Sequence, residues 1–198
     1  MYFSKNLDFC DFFLKIVFAG KSQIGKTFLS KKISFYNDYK TFNQLPKYYN
    51  STIGLEFMEK GKKLNNKMYK FRILDASGQE RFQLINTFSY DGANFILIFY
   101  DALDKDSFNK AKTLYKQAFE NNKNIIYFLI RIKYDLNLNS EKNEIVSDEE
   151  ALEFADKNNL IFTHISSFEK YEDGIENLFD LILKEHNLRF LNHILYKN

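Results

Sequence analysis

Several residue types are scarce in this chain of 198 residues, and each shortage excludes a class of protein. The single cysteine, Cys10, allows neither a disulfide framework nor a thiolate metal site, which fits a reducing compartment. Seven glycines and one proline leave no Gly/Pro-rich linker between domains. The longest apolar runs, FILIFY and NIIYFLI, are far shorter than the roughly 20 residues that a membrane-spanning helix needs. We therefore expect one compact domain that does not span a membrane.

The ends and the overall charge exclude further classes. The Phe-rich N-terminus is interrupted by Asp8, Asp11 and Lys15, which is not typical of a signal peptide. The net charge of +2 is close to neutral and by itself argues neither for nor against a nucleic-acid partner, of which we expect none. The basic stretch EKGKKLNNKMYK could contact anionic lipid or an acidic partner, although a solvated turn joining two strands is the alternative that we favour.

Short apolar runs alternate with helical patterns along the whole chain. FFLKIVFA, NFILIFYDA, NIIYFLIRI and LIFTHIS are typical of buried strands, whereas SFNKAKTLYKQAFENN has apolar positions at helical spacing. A capping box, Ser147 with Glu150, predicts the start of another helix. Strands that alternate with helices predict an α/β fold, a mostly parallel sheet with helices on both faces.

The segment GKSQIGKT, residues 20–27, matches the pattern G-x-x-x-x-G-K-[ST] of a phosphate-binding loop. Gly20 and Gly25 would let the backbone wrap around anionic oxygens, with successive N–H groups pointing inward. Lys26 would reach the terminal phosphates, and the Thr27 hydroxyl would bind Mg²⁺. A strand precedes the loop and a helix follows it, as this motif requires.

A second motif, LDASGQERF at residues 74–82, ends a predicted strand with an acid. Asp75 is suited to hold Mg²⁺ through a water molecule. Gly78 can offer its backbone N–H to a γ-phosphate, and Gln79 can orient an attacking water molecule.

With these two motifs, the chain resembles a small GTPase of the Ras superfamily, and within it most closely the Rab family. STIGLEF (51–57) resembles the first switch, DASGQERF the second, YDGANFILIFYDALDKDSF (90–108) the fourth strand and next helix, and GIENLF (174–179) the last helix. The similarity runs from about Phe13 to Leu183. It implies a P-loop NTPase fold with a six-stranded sheet and five helices, a GTP/GDP switch with Mg²⁺, and effectors that recognise the switch regions.

The resemblance also implies roles for individual residues. Thr52 would bind Mg²⁺ together with Thr27 and contact the γ-phosphate, and Gln79 would be the catalytic residue. Beyond those named above, the predicted phosphate-binding residues are Ser22, Gln23 and Ile24. The guanine-recognition pattern N-K-x-D corresponds here to residues 132–135, in which Lys133 and Asp135 are kept, and the pattern S-A-K corresponds to Ser166, Ser167 and Phe168.

Several departures from the family pattern bear on function. Ile132 replaces the asparagine of N-K-x-D, and its side chain cannot tie this loop to the phosphate-binding loop by a hydrogen bond. Gln23 stands where glycine is common. The first switch carries an insertion at about residues 35–50, whose aromatic candidates for contact with guanine are Phe35, Tyr36, Tyr39 and Phe42. Leu74 replaces a tryptophan that Rab partners often recognise, so known Rab partners are not assumed.

The resulting domain prediction is an N-terminal extension (1–12), a small GTPase domain (13–190) and a short C-terminal tail (191–198). Family members typically end in prenylated cysteines, whereas FLNHILYKN contains none. If the chain ends here, we therefore expect a soluble cytoplasmic protein that reaches endomembranes only through a partner. We also expect a monomer.

The predicted function is that of a Rab-like GTPase with slow intrinsic turnover, which regulates vesicle traffic. Its partners would be effectors, an exchange factor and a GTPase-activating protein. The alternative is a degenerate scaffold that binds guanine nucleotide weakly or stays locked to it and does not switch, which the loss of Asn at Ile132 would favour. A P-loop kinase or ATPase has no place for IGLEF and DASGQERF.

Overall fold

A computed structural model describes residues 10–35, 54–76, 88–133, 145–165 and 172–195. Six strands form one sheet in the order β2-β3-β1-β4-β5-β6, in which only the β2–β3 pair is antiparallel. The strands are β1 (Phe12–Gly20), β2 (Leu55–Leu64), β3 (Lys67–Ala76), β4 (Phe95–Asp101), β5 (Ile126–Ile132) and β6 (Ile161–Ile165). The predicted six-stranded, mostly parallel α/β fold is confirmed.

Every residue of strands β4 and β5 is buried, so both faces of the sheet are covered there. A strand in a parallel sheet is covered on both faces and therefore has a continuous apolar sequence rather than an alternating one. The runs FILIFY and IIYFLI satisfy this requirement. Both strands end at the same edge of the sheet, which is where ligands bind in folds of this type.

Four helices lie within the described residues: α1 (Lys26–Phe35), α2 (Lys105–Asn121), α3 (Asp148–Lys157) and α4 (Glu172–Leu195). The α4 helix continues past residue 190, where the sequence predicted the domain to end. Neighbouring residues of β1 face opposite sides of the sheet. Ile16 belongs to the core that α1 and α4 cover, and Val17 to the core that α2 and α3 cover.

The predicted capping residue of α3 is confirmed, but its partner has another role. The Ser147 hydroxyl accepts a hydrogen bond from the backbone N–H of Glu150 at 3.2 Å. The Glu150 carboxylate forms ion pairs with Lys105 at 2.5 Å and Lys112 at 3.3 Å, both on α2. It thereby links two helices on the same face of the sheet.

The basic hairpin has an exposed turn, as the sequence predicted, but its strands are longer than expected. Its turn consists only of Asn65 and Asn66, both with positive φ (50° and 61°), because the preceding residues 61–64 belong to β2. A two-residue turn with positive φ matches the twist of the flanking strands. Lys62 pairs with both Glu176 (2.6 Å) and Asp180 (2.7 Å) of α4. Lys62 is therefore held by acids of the same chain, whereas Lys63 and Lys67 are exposed beside the turn.

None of the described helices combines the length and the apolar character needed to cross a membrane.

Candidate functional site

The predicted phosphate-binding loop connects the end of β1 to the start of α1, at the carboxyl edge of the parallel sheet. Gly20 has φ of 148°, and a Cβ atom there would lie 2.7 Å from the carbonyl oxygen of Phe99 in β4. No larger residue fits at that distance. Gly25 has φ of 111°, a conformation that residues with a side chain rarely adopt. Both glycines of the motif are thus required by the local geometry.

Lys26 is buried within this loop. Its Nζ donates hydrogen bonds to the carbonyl oxygens of Gly20 (3.0 Å) and Lys21 (2.9 Å). Burial lowers the pKa of the Lys26 ammonium to about 8, and the negative charge of Asp75 opposes that shift. The loop therefore contains a poorly solvated positive charge, which an anionic ligand would stabilise.

Asp75 reaches the loop from the neighbouring strand. It is the second-last residue of β3, its side chain is fully buried, and its Oδ2 accepts a hydrogen bond from the Thr27 hydroxyl. Hydroxyl and carboxylate oxygens are ligands that suit Mg²⁺. The two predicted metal-binding groups that the structure describes are thus in contact, and their chemistry fits this ion.

Gln23 has a left-handed backbone conformation with φ of 65°, and its side chain is exposed. A glutamine at this position carries a conformational cost, since a residue with a Cβ is strained in this conformation. Glycine avoids the strain, which explains physically why it would be favoured here.

Ile132 ends β5 and is fully buried. Its Cδ1 atom lies 3.5 Å from the position that a Cβ on Gly25 would occupy. The side chain cannot donate the hydrogen bond that asparagine would supply, as the sequence predicted, but it packs close to the phosphate-binding loop. Ile132 and Ile24 of the phosphate-binding loop also belong to the same apolar core.

Lys133 follows β5 with φ of 59°, and its Nζ forms an ion pair with Oδ2 of Asp101 at 3.0 Å. Asp101 is the last residue of β4. As part of the predicted guanine-recognition pattern, Lys133 would lay its alkyl stem along the base. Fixing the ammonium on Asp101 holds that stem at the carboxyl edge of the sheet.

Sequence reasoning missed two ion pairs near this edge. Lys21, inside the phosphate-binding loop, pairs with Asp104 at 2.8 Å. Arg131 is buried in β5 and pairs with Asp148, the first residue of α3, at 2.8 Å. The pattern D-x-x-S at Asp104 and Ser107 predicts a helix cap, so Asp104 could have been identified as a capping residue. No local pattern in the sequence indicates that Asp104 pairs with Lys21 or that Asp148 pairs with Arg131.

Other predicted site residues lie outside the described part of the chain, and their roles stay predictions. They are Thr52, Gly78, Gln79, Asp135, Ser166, Ser167 and Phe168, together with the switch insertion at 35–50, apart from the backbone of Phe35 at the end of α1.

The class of protein follows from the fold and the loop together. A glycine-dependent loop lies between the end of a central parallel strand and a helix, with a buried lysine inside and an Asp–Thr pair beside it. This is the architecture of a P-loop nucleotide-binding protein.

Comparison with known proteins gives the family. Residues 15–187 match the Ras family. Ras-related protein RABA4d of Arabidopsis thaliana is 34% identical over 176 residues, which cover 88% of this chain and 73% of that protein. Ras-related protein Rab-11B of Dictyostelium discoideum is 35% identical over 175 residues, 87% of this chain and 74% of that protein. GTP-binding protein ypt3 of Schizosaccharomyces pombe is 34% identical over 176 residues, 88% and 76% respectively. The chain belongs to the Ras family, and its predicted similarity to Rab proteins is confirmed.

Proposed function

We propose that this protein is a guanine-nucleotide switch of the Rab type, which binds GTP with Mg²⁺ and hydrolyses it slowly to GDP. The observation that carries the proposal is the geometry of the phosphate-binding loop. Gly20 cannot carry a side chain there, the Lys26 ammonium is buried inside, and Thr27 and Asp75 are in contact. Membership of the Ras family supports the choice of guanine nucleotide.

Phosphate binding would use the loop in its present form. Of the three hydrogens on the Lys26 ammonium, two are used by the carbonyl groups of Gly20 and Lys21 among the described residues. The third is then available for a phosphate oxygen. The Thr27 hydroxyl and the proposed Thr52 hydroxyl would hold Mg²⁺, with Asp75 acting through water. Bound there, Mg²⁺ would neutralise charge that develops on the phosphates.

Guanine recognition would rest on Asp135, whose carboxylate can accept from the ring N–H and the exocyclic amine together. The Lys133 stem would pack on the base, with its ammonium held by Asp101. The backbone N–H of Ser167, flanked by Ser166 and Phe168, would donate to the guanine oxygen. Because the Asn amide is missing at Ile132, we propose that GDP and GTP are released faster than is usual in the family.

Hydrolysis would depend on Gln79, which would orient the attacking water, and on the Gly78 N–H, which would contact the γ-phosphate. Neither residue supplies much of the charge stabilisation in this class, since that typically arrives from an activating protein as an arginine. Slow intrinsic turnover follows from this division of roles.

The biological role that we propose is regulation of vesicle traffic. Relatives that cover more than four-fifths of this chain are named as Rab proteins. Effectors would bind the switch regions in the GTP state, and an exchange factor and an activating protein would control that state. We propose a cytosolic protein that a partner recruits to the cytosolic face of endomembranes.

The test begins with the nucleotide that copurifies with the protein, extracted by denaturation and identified by chromatography. We expect GDP or GTP. Single-turnover hydrolysis of GTP with Mg²⁺ is then followed for the wild type and Gln79→Leu. The variant should bind GDP normally and hydrolyse GTP much more slowly, because Gln79 acts on the attacking water and Lys26 and Thr27 hold the ground state. Binding of ATP as tight as that of GTP would contradict the proposal, and equal hydrolysis rates would remove Gln79 from the mechanism.

The scaffold alternative is less favoured. It rested mainly on the loss of the asparagine at Ile132, yet Ile132 packs close to the phosphate-binding loop through its side chain. The hydrolysis experiment distinguishes the two, because a scaffold would retain its nucleotide without turnover.

A further inference from the structure

The turn between β4 and α2, residues Asp101 to Asp104, contacts several segments of the candidate site. Its carboxylates come from Asp101 and Asp104, which are three residues apart. Each one binds a lysine from a different nucleotide-binding segment. We refer to these four residues as the β4–α2 turn.

The first contact is with the phosphate-binding loop. Lys21 Nζ donates to Oδ2 of Asp104 at 2.8 Å, while Oδ1 of Asp104 accepts from the Ser107 N–H and caps α2. The hydrogen bond to Asp104 raises the pKa of the Lys21 ammonium. Partial burial would raise the pKa of the Asp104 carboxyl, but the bonds from Lys21 and Ser107 lower it. One carboxylate therefore connects the loop to the rigid start of a helix.

The second contact is with the residue that follows β5. Lys133 Nζ donates to Oδ2 of Asp101 at 3.0 Å, and Oδ1 of Asp101 accepts from the Leu103 N–H at 3.0 Å. The Ser107 hydroxyl binds the backbone of Asp101 at both its N–H and its carbonyl oxygen. The side chain of Asp101 is only 10% exposed, so this ion pair is less screened by water than the pair at Lys21.

The third contact is with residues that follow the guanine-recognition motif along the chain. The carbonyl oxygen of Ala102 accepts from the backbone N–H groups of Ile145 and Val146, both at 3.0 Å. Residues 133 and 145–146 flank the segment that contains Asp135. Both flanks therefore contact the same turn, which also contacts the phosphate-binding loop.

We propose that Asp104 and Asp101 are positioning residues for the nucleotide, Asp104 through the phosphate-binding loop and Asp101 through Lys133. The β4–α2 turn would then supply the coupling between phosphate and base segments that the missing asparagine does not supply. This inference rests on the proposed binding of guanine nucleotide.

The test uses two variants that keep shape and local hydrogen bonding. Asp104→Asn preserves the helix cap, because asparagine is an equally good capping residue, and removes only the charge. Asp101→Asn likewise keeps an acceptor for Leu103. Glu120→Gln is the matched control, since it removes one exposed acid from the other end of α2. We expect GDP release to rise about two- to fivefold in Asp104→Asn and about five- to twentyfold in Asp101→Asn, and to be unchanged in the control.

The ratios of affinity for different nucleotides distinguish a positioning role of these residues from a general loss of protein stability. Asp101→Asn should lower the ratio of GDP to IDP affinity, because IDP lacks the exocyclic amine that Asp135 would bind. Asp104→Asn should keep that ratio and lower the ratio of GDP to GMP affinity. Lys21→Arg, which retains the pair, should release GDP at nearly the wild-type rate, whereas Lys21→Gln should match Asp104→Asn and add nothing to it in the double variant.

Amide hydrogen exchange in nucleotide-free protein provides a readout that does not need the ligand. We expect faster exchange in residues 21–25 for Asp104→Asn and at Ile145 and Val146 for Asp101→Asn. If the wild type binds no guanine nucleotide, the proposed function fails while this exchange pattern still tests the turn. Exchange and release equal to those of Glu120→Gln in both variants would overturn the inference.

Discussion

At the scale of single residues, the phosphate-binding loop has positions where only glycine fits and positions where a larger residue is strained but possible. Gly20 has no space for a side chain, so its identity is dictated by the carbonyl of Phe99. Gln23 has space but an unfavourable φ of 65°. Steric exclusion is absolute, whereas backbone strain only costs stability, which is why the chain can carry a glutamine at residue 23.

Gln23→Gly should stabilise the protein, because glycine adopts positive φ without strain. We expect a gain of up to about 1 kcal/mol in the free energy of unfolding, partly offset by the greater freedom of glycine in the unfolded chain. The control is Gln117→Gly, the same change inside α2, which should cost about 1 kcal/mol. Chemical denaturation measures both, and a loss of stability in Gln23→Gly would contradict the strain argument.

Ile132→Asn should slow the release of GDP, because the amide can donate to the phosphate-binding loop and contact the base edge. Without nucleotide, the same variant should lose about 1–3 kcal/mol of stability, because a fully buried apolar site would then contain a polar group. Ile132→Val is the control, since it removes the Cδ1 methyl group that lies near Gly25 and offers no hydrogen bond. Release from Ile132→Asn as fast as from Ile132→Val would refute the role assigned to the missing asparagine.

Lys26 should take up a proton when nucleotide binds at alkaline pH. In the free protein its pKa is lowered to about 8, so it loses its proton as the pH rises through that value. Phosphate oxygens favour the charged form, and binding must then restore the proton. Calorimetry in two buffers of different ionisation heat should detect little uptake at pH 7 and close to one proton at pH 9. Uptake that is the same at both pH values would contradict the lowered pKa.

At the scale of elements, the β2–β3 hairpin and α4 are joined by charge. Glu176 pairs with Lys62 at 2.6 Å and with Lys60 at 3.3 Å, and the Lys60 side chain is only 8% exposed. The hairpin forms one edge of the sheet, and α4 covers one of its faces. These ion pairs therefore fix an edge strand against the core helix.

Glu176→Gln should lower stability at pH 7 by up to about 1 kcal/mol, and the difference from wild type should vanish in acid. Burial raises the pKa of the Glu176 carboxyl, but the bonds from Lys62 and Lys60 outweigh it and lower the pKa. A carboxyl group whose pKa is lowered in the folded state stabilises the fold at pH values above its pKa in the unfolded chain. That contribution is lost as the pH falls through the pKa of the folded state. Urea unfolding at pH 7 and below pH 4 tests this, with Glu153→Gln, an exposed acid of α3, as the control. A constant difference across that range would exclude the ion pairs as its cause.

At the scale of the whole molecule, the site is assembled from the carboxyl ends of strands β1, β3, β4 and β5. Because a bound nucleotide would contact several of these strands at once, it would stabilise the folded state as a unit. Ligand binding to the native state alone adds a stabilisation that grows with ligand concentration.

GDP with Mg²⁺ should therefore raise the unfolding temperature. At a concentration about 100 times Kd the gain is about 2.7 kcal/mol, which corresponds to roughly 5–10 °C for a domain of this size. ATP should produce no comparable shift, and Asp135→Asn should respond to XDP more than to GDP, because xanthine has a carbonyl that can accept from the amide. A thermal shift with ATP as large as with GDP would contradict guanine selectivity.

The sequence by itself determined the features whose causes are local. The glycines and Lys26 of the phosphate-binding loop form a contiguous motif, and strands such as FILIFY are recognisable because a two-sided core needs continuous apolar residues. The Ser147 cap is likewise a matter of neighbours along the chain. The boundaries of the β2–β3 turn were less accurate, since a short basic stretch has no strong preference between strand and loop.

Tertiary structure alone decided which distant residues meet. Lys21 and Asp104 are 83 residues apart, and Lys62 and Glu176 are 114 apart. Each pair depends on the strand order, which places β4 beside β1 and α4 against the hairpin. From the sequence alone, Ile132 indicated only that the side-chain amide of the family's asparagine was missing. The packing of its side chain close to Gly25 became visible when the ends of β1 and β5 were brought to the same edge of the sheet, because contact between them requires the whole parallel sheet to form.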